Sequence, residues 1–344
     1  MKVEMSDILI VGGGPAALNC AYHLAKKGKE ALVLEKHSYP VEKLCAGGLT
    51  LKDFKEGVPE EIVERSFASH TIHTPLGKTA LKANFPIVFT IDRKKLSRWL
   101  FERALKAGAR VETAKVVKIK DNAVITEDGR RYDYHCLVGA DGSRSLVRRH
   151  LKIPSRQIII AWQTSVPSSL SKMEWFFDAR LFGCGYGWIF PHEESTAVGF
   201  GFEGLYPINV HRAREGFLHW LKKTHGLTIN TPFRAHPINA DYRGHCFDHT
   251  YLIGDAGGFA SGLTGEGIFF ALASGRGVAD MILSDNDETI KNLLSIKRRH
   301  DRSAIRTAGL LSLLPHPVST IFIECLRKCM SVRYLFETIV RRYG

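Results

Sequence analysis

The sequence has no apolar run as long as the roughly 18–20 residues of a membrane-spanning helix. Its first seven residues are polar and mixed in charge, so we expect no signal peptide. The seven cysteines are widely spread and include no Cys-x-x-Cys pair, which argues against a zinc site and against a disulfide framework. Together these absences predict a cytoplasmic protein with reduced thiols and no bound metal.

The sequence has fewer acidic residues (35) than lysines and arginines (48), and the excess of positive charge is unevenly distributed along the chain. Residues 290–344 contain 11 Lys/Arg against 3 Asp/Glu, together with many apolar residues and Pro315 and Pro317. This pattern predicts short amphipathic helices, which either cap the protein body or lie on an anionic membrane surface. The charge lies outside any recognisable nucleic-acid module, so we expect no nucleic-acid partner. We also expect a monomer.

The most informative segment is residues 7–35, which has the pattern of a complete dinucleotide-binding βαβ unit. An apolar strand leads into three glycines, a helix follows, and a second apolar strand ends in an acidic residue. Glycines permit the tight turn and the close approach of a pyrophosphate to the helix N-terminus, and the acid is placed to bind a ribose. The residues that we expect to bind the cofactor here are Gly12, Gly14, Pro15, Ala16, Ala17, Glu35 and Lys36.

Two later motifs place an aspartate beside glycine at the end of an apolar strand: Asp141-Gly142 and Gly254-Asp255. Either motif alone also marks an ordinary turn. In this order, after the first βαβ unit, they resemble the flavoproteins of the p-hydroxybenzoate hydroxylase type, over nearly the whole chain to about residue 280. The resemblance implies FAD as the cofactor.

Further motifs resemble the geranylgeranyl reductase branch of that family. They are Tyr186-Gly187-Trp188-Ile189-Phe190-Pro191 with Gly199 and Gly201, the loop Lys43-x-Cys45-x-Gly47-Gly48, and the segment 254–275. The resemblance implies catalytic roles for Cys45, Tyr186, Trp188 and Glu266. It also implies cofactor contacts for Cys45, Ala46, Gly47, Arg93, Asp141, Gly142, Gly254, Asp255, Gly265, Gly267 and Ile268. The chain departs from the family pattern at Ser261-Gly262, at His192, at Ala46 and in its short C-terminal region.

The cofactor motifs are separated by β-rich segments, which predicts an α/β fold with two interleaved domains. We assign residues 1–48, 90–155 and 246–285 to a Rossmann-like FAD-binding domain. Residues 49–89 and 156–245 form an antiparallel β-sheet substrate domain, and residues 286–344 a basic amphipathic helical region.

Three functions are compatible with these motifs. The first is a reductase that transfers a hydride from reduced FAD to a carbon–carbon double bond of an apolar isoprenoid or lipid, with Cys45, Tyr186, Glu266 or His192 as the proton donor. The second is an aromatic monooxygenase that uses NAD(P)H and oxygen, and the third is a flavin-binding protein without turnover. Only one dinucleotide motif is present, so the electron donor is NAD(P)H binding transiently or a ferredoxin.

Overall fold

A computed structural model describes residues 3–41, 43–204 and 208–330. Of these, one compact unit (unit 1) takes the residues up to 43, 93–157 and 238–299. The other (unit 2) takes 44–92, 158–237 and the residues from 300 onward. The chain is a mixed α/β protein with one largely parallel sheet and two further sheets, as the sequence predicted. The domain ranges assigned from the sequence stay a prediction.

The strands are, in chain order, β1 (Val3–Val11), β2 (Ala31–Glu35), β3 (Gly48–Leu49), β4 (Val63–Phe67), β5 (Ser69–Thr74), β6 (Gly77–Lys82), β7 (Val88–Ile91), β8 (Arg110–Thr113), β9 (Val116–Lys120), β10 (Ala123–Thr126), β11 (Arg131–Gly139), β12 (Ile158–Val166), β13 (Met173–Phe176), β14 (Tyr186–Pro191), β15 (Thr196–Glu203), β16 (Arg234–Asn239), β17 (Cys246–Phe247) and β18 (Thr250–Leu252). The helices are α1 (Pro15–Ala25), α2 (Leu51–Lys55), α3 (Arg93–Lys106), α4 (Leu146–His150), α5 (Ala179–Phe182), α6 (Val210–His225), α7 (Ile268–Ser284), α8 (Glu288–Leu313) and α9 (His316–Met330).

Unit 1 is built on five parallel strands in the order β8-β2-β1-β11-β18. The five residues of β2 are all buried, as expected of a parallel strand covered on both faces. Strand β17 joins one edge, and the β9–β10 hairpin pairs with β11. Strand β8 pairs in parallel with β2 and β9 pairs with β10, so residues 110–126 do not form one continuous meander.

Unit 2 contains a seven-stranded sheet in the order β16-β12-β15-β14-β13-β5-β6 and a three-stranded sheet β3-β7-β4. Side chains alternate across β14: Ile189 joins an apolar core with Phe200 and Phe217, whereas Trp188 and Phe190 join a separate apolar cluster. Each face of this strand is therefore covered by apolar side chains, consistent with its near-complete burial.

The described part of the basic C-terminal region consists of two helices between 288 and 330, and the first of them is not short. The prediction for residues 331–344 lies outside the described residues. Helix α8 runs for 26 residues, and the break falls just before Pro315, where proline cannot continue the helix. Among the described residues no helix is both long enough and apolar enough to cross a bilayer.

Unit 2 also buries a charged cluster in which Glu174 of β13 lies between two histidines. Its Oε2 is 2.5 Å from Nε2 of His73 and 3.2 Å from Nε2 of His225. Trp220 packs edge-on against both imidazole rings. Burial alone raises the pKa of Glu174, but the interactions with His225 and His73 outweigh it and lower the pKa to about 2 from its ordinary 4.5. The cluster therefore stabilises the ionised carboxylate.

This cluster predicts a pH dependence of stability. Since the folded pKa of Glu174 is depressed, its contribution is complete above about pH 4.5 and is lost as the pH falls toward about 2. Replacing Glu174 with glutamine should therefore lower the free energy of unfolding at about pH 7 by about 3 kcal/mol more than at about pH 2. Urea unfolding of both proteins at the two pH values measures the difference. An equal effect of the substitution at both would contradict the assignment.

Candidate active site

Three sequence motifs meet at one edge of the parallel sheet in unit 1. Val11 at the end of β1 is in register with Gly139 of β11, which is in register with Leu252 of β18. The turns that follow, 12–14, 140–142 and 253–255, therefore emerge side by side. The strand order reverses between β1 and β11, and parallel sheets bind their ligands at the carboxyl ends of the strands beside such a reversal.

The first turn is shaped to receive a phosphate. Gly12 has a φ of +102°, and a Cβ there would lie 2.5 Å from the carbonyl oxygen of Ala140, so only glycine fits. A Cβ at Gly14 would meet nothing within 4 Å, which leaves open space before the helix. Helix α1 then begins at Pro15, and its first turn contains no acidic residue. The free N–H groups at this end favour an anion.

Glu35 lies beside this turn, at the end of β2. It is 6% exposed, and its two carboxylate oxygens accept hydrogen bonds from the N–H groups of Gly13 (2.6 Å) and His37 (3.0 Å). Each oxygen keeps a second lone pair for a ribose hydroxyl. The neighbouring Lys36 is exposed.

Asp255 is held by two donors from other segments of unit 1. The Lys43 ammonium donates to its Oδ2 at 3.0 Å and the Ser143 hydroxyl at 3.1 Å. Both bonds end on Oδ2, and Oδ1 lies 3.8 Å from where a Cβ of Gly267 would be. This fixed orientation suits a carboxylate that accepts a hydrogen bond from a polyol hydroxyl.

Asp141 caps the short helix α4. Its Oδ2 accepts from the N–H groups of Leu146 (2.6 Å) and Val147 (3.3 Å), while Oδ1 is buried with no hydrogen-bond partner among the described residues. Burial raises the pKa of this carboxyl. Gly142 follows with a φ of +78°. The motif thus places an unsatisfied buried oxygen at the carboxyl edge of the sheet.

Arg93, the first residue of α3, carries a second set of unsatisfied atoms. Its Nε and Nη1 are buried and have no hydrogen-bond partner in the part of the chain that the structure describes. A buried guanidinium without partners is costly, and a phosphate oxygen would satisfy it. The open space at Gly14 and the N-terminus of α1 fit the pyrophosphate of a dinucleotide, and a contact of Arg93 with that group stays a prediction.

The loop before α7 forms a further helix N-terminus in unit 1. Gly265, Glu266 and Gly267 precede Ile268, the first helical residue, and Ser261 organises the loop. The buried Ser261 hydroxyl accepts from the N–H groups of Leu263 (3.2 Å) and Thr264 (3.0 Å). The Ser261 side chain therefore forms a local turn within this loop.

In unit 2, the loop that contains Cys45 is fixed by His192, which follows β14. The imidazole Nε2 is 3.1 Å from the carbonyl oxygen of Ala46, and Nδ1 is 2.5 Å from Oε2 of Glu64. Nε2 donates to the carbonyl, and the contact of Nδ1 with Glu64 fixes the orientation of the ring. Gly47 has a φ of +72°, and its N–H lies 3.4 Å from the Cys45 sulfur.

Tyr186 and Trp188 lie on one face of β14 with Phe190, as their alternation predicted. The indole of Trp188 lies across the neighbouring strand β15, where a Cβ at Gly199 would be 2.5 Å from it. A Cβ at Gly199 would also lie 2.5 Å from the carbonyl oxygen of Trp162, so only glycine fits between this indole and strand β12. The indole N–H of Trp188 is buried and has no partner among the described residues.

The sequence motifs did not predict several residues that contribute to these sites. Trp175 of β13 packs edge-on against Tyr186 (5.4 Å between ring centroids) and Phe190 (5.2 Å), and its N–H donates to His70 at 3.1 Å. Lys43 and Ser143 also orient Asp255, but the sequence motifs around them did not predict this role. No local signal indicates such contacts, because each partner lies far away in the chain.

The structure divides the predicted site residues between the two units. The Gly12–Ala17 turn, Glu35, Lys36, Arg93, Asp141, Gly142, Gly254, Asp255 and the loop 265–268 belong to unit 1. Cys45, Ala46, Gly47, Tyr186 and Trp188 belong to unit 2. Their roles in binding and catalysis stay predictions.

Residues 5–169 match the family model of an FAD binding domain. An uncharacterized protein of Methanosarcina barkeri is 31% identical over 89% of this chain and 82% of its own length. Geranylgeranyl diphosphate reductase of Rhodobacter capsulatus is 28% identical over 81% of this chain and 75% of that enzyme. A solved geranylgeranyl bacteriochlorophyll reductase-like protein from Thermoplasma acidophilum has a TM-score of 0.78 at 22% identity, covering 99% of this chain and 97% of that one.

The fold, the carboxyl-edge turns and the domain match define an FAD-dependent oxidoreductase, with FAD as its cofactor. Within that class, the chain belongs to the geranylgeranyl reductase family.

Proposed function

We propose that this protein reduces carbon–carbon double bonds of an isoprenoid chain carried by a prenyl lipid or prenyl diphosphate. The observation that supports this most directly is the apolar aromatic cluster of unit 2. Tyr186, Trp188 and Phe190 share one face of β14, and Trp175 packs against the first and the last of them. Trp188 and Phe190 are buried, whereas Tyr186 and Trp175 are partly exposed at the border of the cluster. This aromatic border offers dispersion contacts and few hydrogen bonds to a flexible hydrocarbon chain.

Bound FAD, once reduced, supplies a hydride for the double bond. Within unit 1, the turn 12–14 and Arg93 hold the pyrophosphate, Glu35 holds the adenosine ribose, and Asp255 holds a flavin hydroxyl. The N-terminus of α7 favours negative charge on the reduced ring through its dipole. These roles are consistent with the open and unsatisfied groups in this unit.

Reduction also needs a proton. Unit 2 has two candidate donors, the Cys45 thiol and the imidazole of His192, which is hydrogen-bonded to the backbone next to Cys45. The Cys45 thiol is partly exposed, and the backbone next to it is hydrogen-bonded by His192. The His192 imidazole, which contacts Glu64, is the second candidate. We assign proton donation to Cys45 and the positioning of its loop to His192.

The electron donor, the oligomeric state and the location belong to the same proposal. One dinucleotide turn is filled by FAD, so NAD(P)H or a ferredoxin reduces the flavin in a transient encounter. We propose a monomer that is cytoplasmic and contacts a membrane peripherally through its C-terminal helices.

An anaerobic reoxidation experiment tests the proposed reaction. The purified flavoprotein is reduced chemically without oxygen, a geranylgeranyl lipid or geranylgeranyl diphosphate is added, and the oxidised flavin absorbance is followed. Rapid return of that absorbance, with a saturated product by mass spectrometry, supports the reductase. No return with either compound, together with a flavin–oxygen adduct and hydroxylation of an aromatic compound in air, would assign the protein to the monooxygenases instead.

Replacing Cys45 with alanine should lower the rate of flavin reoxidation by the substrate by about 10²–10³-fold, the range typical for loss of a positioned acid. The flavin content is measured in parallel, because a cofactor contact is also expected at Cys45 and its loss must be separated from a loss of proton donation. Cys184→Ala is the matched control, since Cys184 is also a partly buried cysteine of unit 2. Stopped-flow absorbance measures both variants, and equal rates for Cys45→Ala and the wild type would remove the catalytic role.

A further inference from the structure

Helix α9 presents its polar side to the rest of unit 2. Glu324 and Arg327 are each 9% exposed and form an ion pair with each other. Glu324 accepts from the Thr74 hydroxyl at 2.6 Å, and Arg327 donates to the Thr79 hydroxyl. Ser319, the third buried polar residue of this helix, is 2% exposed. A surface helix of a globular protein usually packs its apolar face inward, whereas α9 packs a polar face inward.

The opposite side of α9 is apolar and faces outward. Positions 318, 321, 325 and 329 follow one another at intervals of three or four residues, which places them along one stripe, and position 322 lies one turn from both 318 and 325 on the same side. Val318 is 44% and Ile321 57% exposed, Cys325 and Cys329 are exposed, and Leu326 beside the stripe is 42% exposed. No charged side chain lies on the stripe.

The second half of α8 carries further exposed apolar residues. Ile305, Leu310 and Leu313 are 64%, 41% and 82% exposed. Six of the twelve large apolar residues that are exposed in the described chain thus lie between 305 and 326. Soluble proteins scatter such residues singly, so this concentration indicates a binding surface.

The charge around the surface indicates its partner. Residues 290–330 contain eight lysines and arginines and only two acidic residues, and Arg302, Arg306 and Lys328 are exposed. A second copy would bring the same positive charge to the contact, which opposes association. An anionic lipid surface offers both an acyl layer for the stripe and negative headgroups for its basic border.

We propose that the outward stripe of α9 and the end of α8 dock on an anionic phospholipid surface. This proposal rests on the proposed function: it specifies which face of the C-terminal helices contacts the membrane and which lipid charge that face binds. Such a contact suits a reductase whose substrate lies in a bilayer. Its test needs neither substrate nor reduced flavin, so a failed reductase assay and a failed lipid assay remain distinguishable.

Cysteine labelling on the holoprotein tests the surface directly. Cys325 and Cys329 should react quickly with a maleimide in solution and become protected by vesicles that contain phosphatidylglycerol, as read by peptide mass spectrometry. Cys246, an exposed cysteine of unit 1, is the internal control and should react equally with and without vesicles. Slow labelling of Cys325 without vesicles would mean that the chain itself covers the stripe, and would overturn the proposal.

A substitution on the stripe gives the second measurement. Ile321→Asp should weaken sedimentation with the anionic vesicles by about tenfold or more, because one isoleucine side chain leaves the acyl layer and a like charge enters. Leu105→Asp, at an exposed apolar position of α3 in unit 1, should bind as the wild type does. Equal binding to pure phosphatidylcholine, or unchanged binding of Ile321→Asp, would overturn the proposal. A dimer that Ile321→Asp dissociates, without vesicle binding, would assign the surface to a second copy.

Discussion

Replacing Asp255 with alanine should leave the purified protein largely without FAD and raise its Kd for FAD by about tenfold to a hundredfold. The variant loses the carboxylate that we propose as the acceptor for a flavin hydroxyl, and a hydrogen bond to a charged group contributes about 1.5–3 kcal/mol. The substitution also removes the partner of Lys43 and Ser143, whose bonds to Oδ2 join three segments of unit 1. The ratio of flavin to protein absorbance and a fluorescence titration with FAD measure the effect.

Two further variants separate cofactor binding from general loss of charge. Asp133→Ala removes a partly exposed carboxylate of the same unit, paired with Arg131 on β11, and should retain FAD. Asp255→Asn keeps an oxygen acceptor and should lie between the wild type and the alanine variant. Full flavin content and an unchanged Kd in Asp255→Ala would withdraw the assignment of this residue to the cofactor.

The fold of unit 1 was largely predictable because each step had a local signal. Glycines 12–14 stand between an apolar strand and a helix, and aspartates 141 and 255 each follow an apolar strand. Parallel pairing then brings these turns to one edge of the sheet, since strands of one direction end together. The family resemblance added the assignment to FAD and to geranylgeranyl reductases, which the comparisons support.

What could not be predicted depends on contacts between distant residues. Glu174 appears in the sequence as an isolated acid of an aromatic strand, and only the fold brings His73 and His225 to it. The orientation of α9 could not be predicted for a similar reason. Its amphipathic pattern shows that two faces differ, but the apolar face turns outward because Glu324 and Arg327 find partners on β5 and β6.

Replacing Arg148 with methionine should be the most destabilising single change in unit 1. Arg148 is 2% exposed, and its guanidinium donates to the carbonyl oxygens of Pro154 (2.7 Å), Asp241 (2.7 Å) and Ala256 (3.1 Å). Methionine fills a similar length but leaves these three carbonyls without their donor. A buried acceptor left without its donor costs about 1–3 kcal/mol, so the loss at three carbonyls is a large share of the stability of an ordinary domain.

The same bonds connect Arg148 to the cofactor turn, because Ala256 directly follows Asp255. Arg148→Met should therefore lose FAD more readily in mild denaturant than the wild type, besides unfolding at a lower urea concentration. Arg149→Met is the matched control: Arg149 is exposed on the same short helix, and its loss should change the midpoint little. Urea titrations followed by flavin fluorescence and by circular dichroism separate the two effects. If Arg148→Met and Arg149→Met unfold at the same urea concentration, the carbonyls at 154, 241 and 256 are satisfied without the guanidinium, and Arg148 does not hold the Asp255 turn in place.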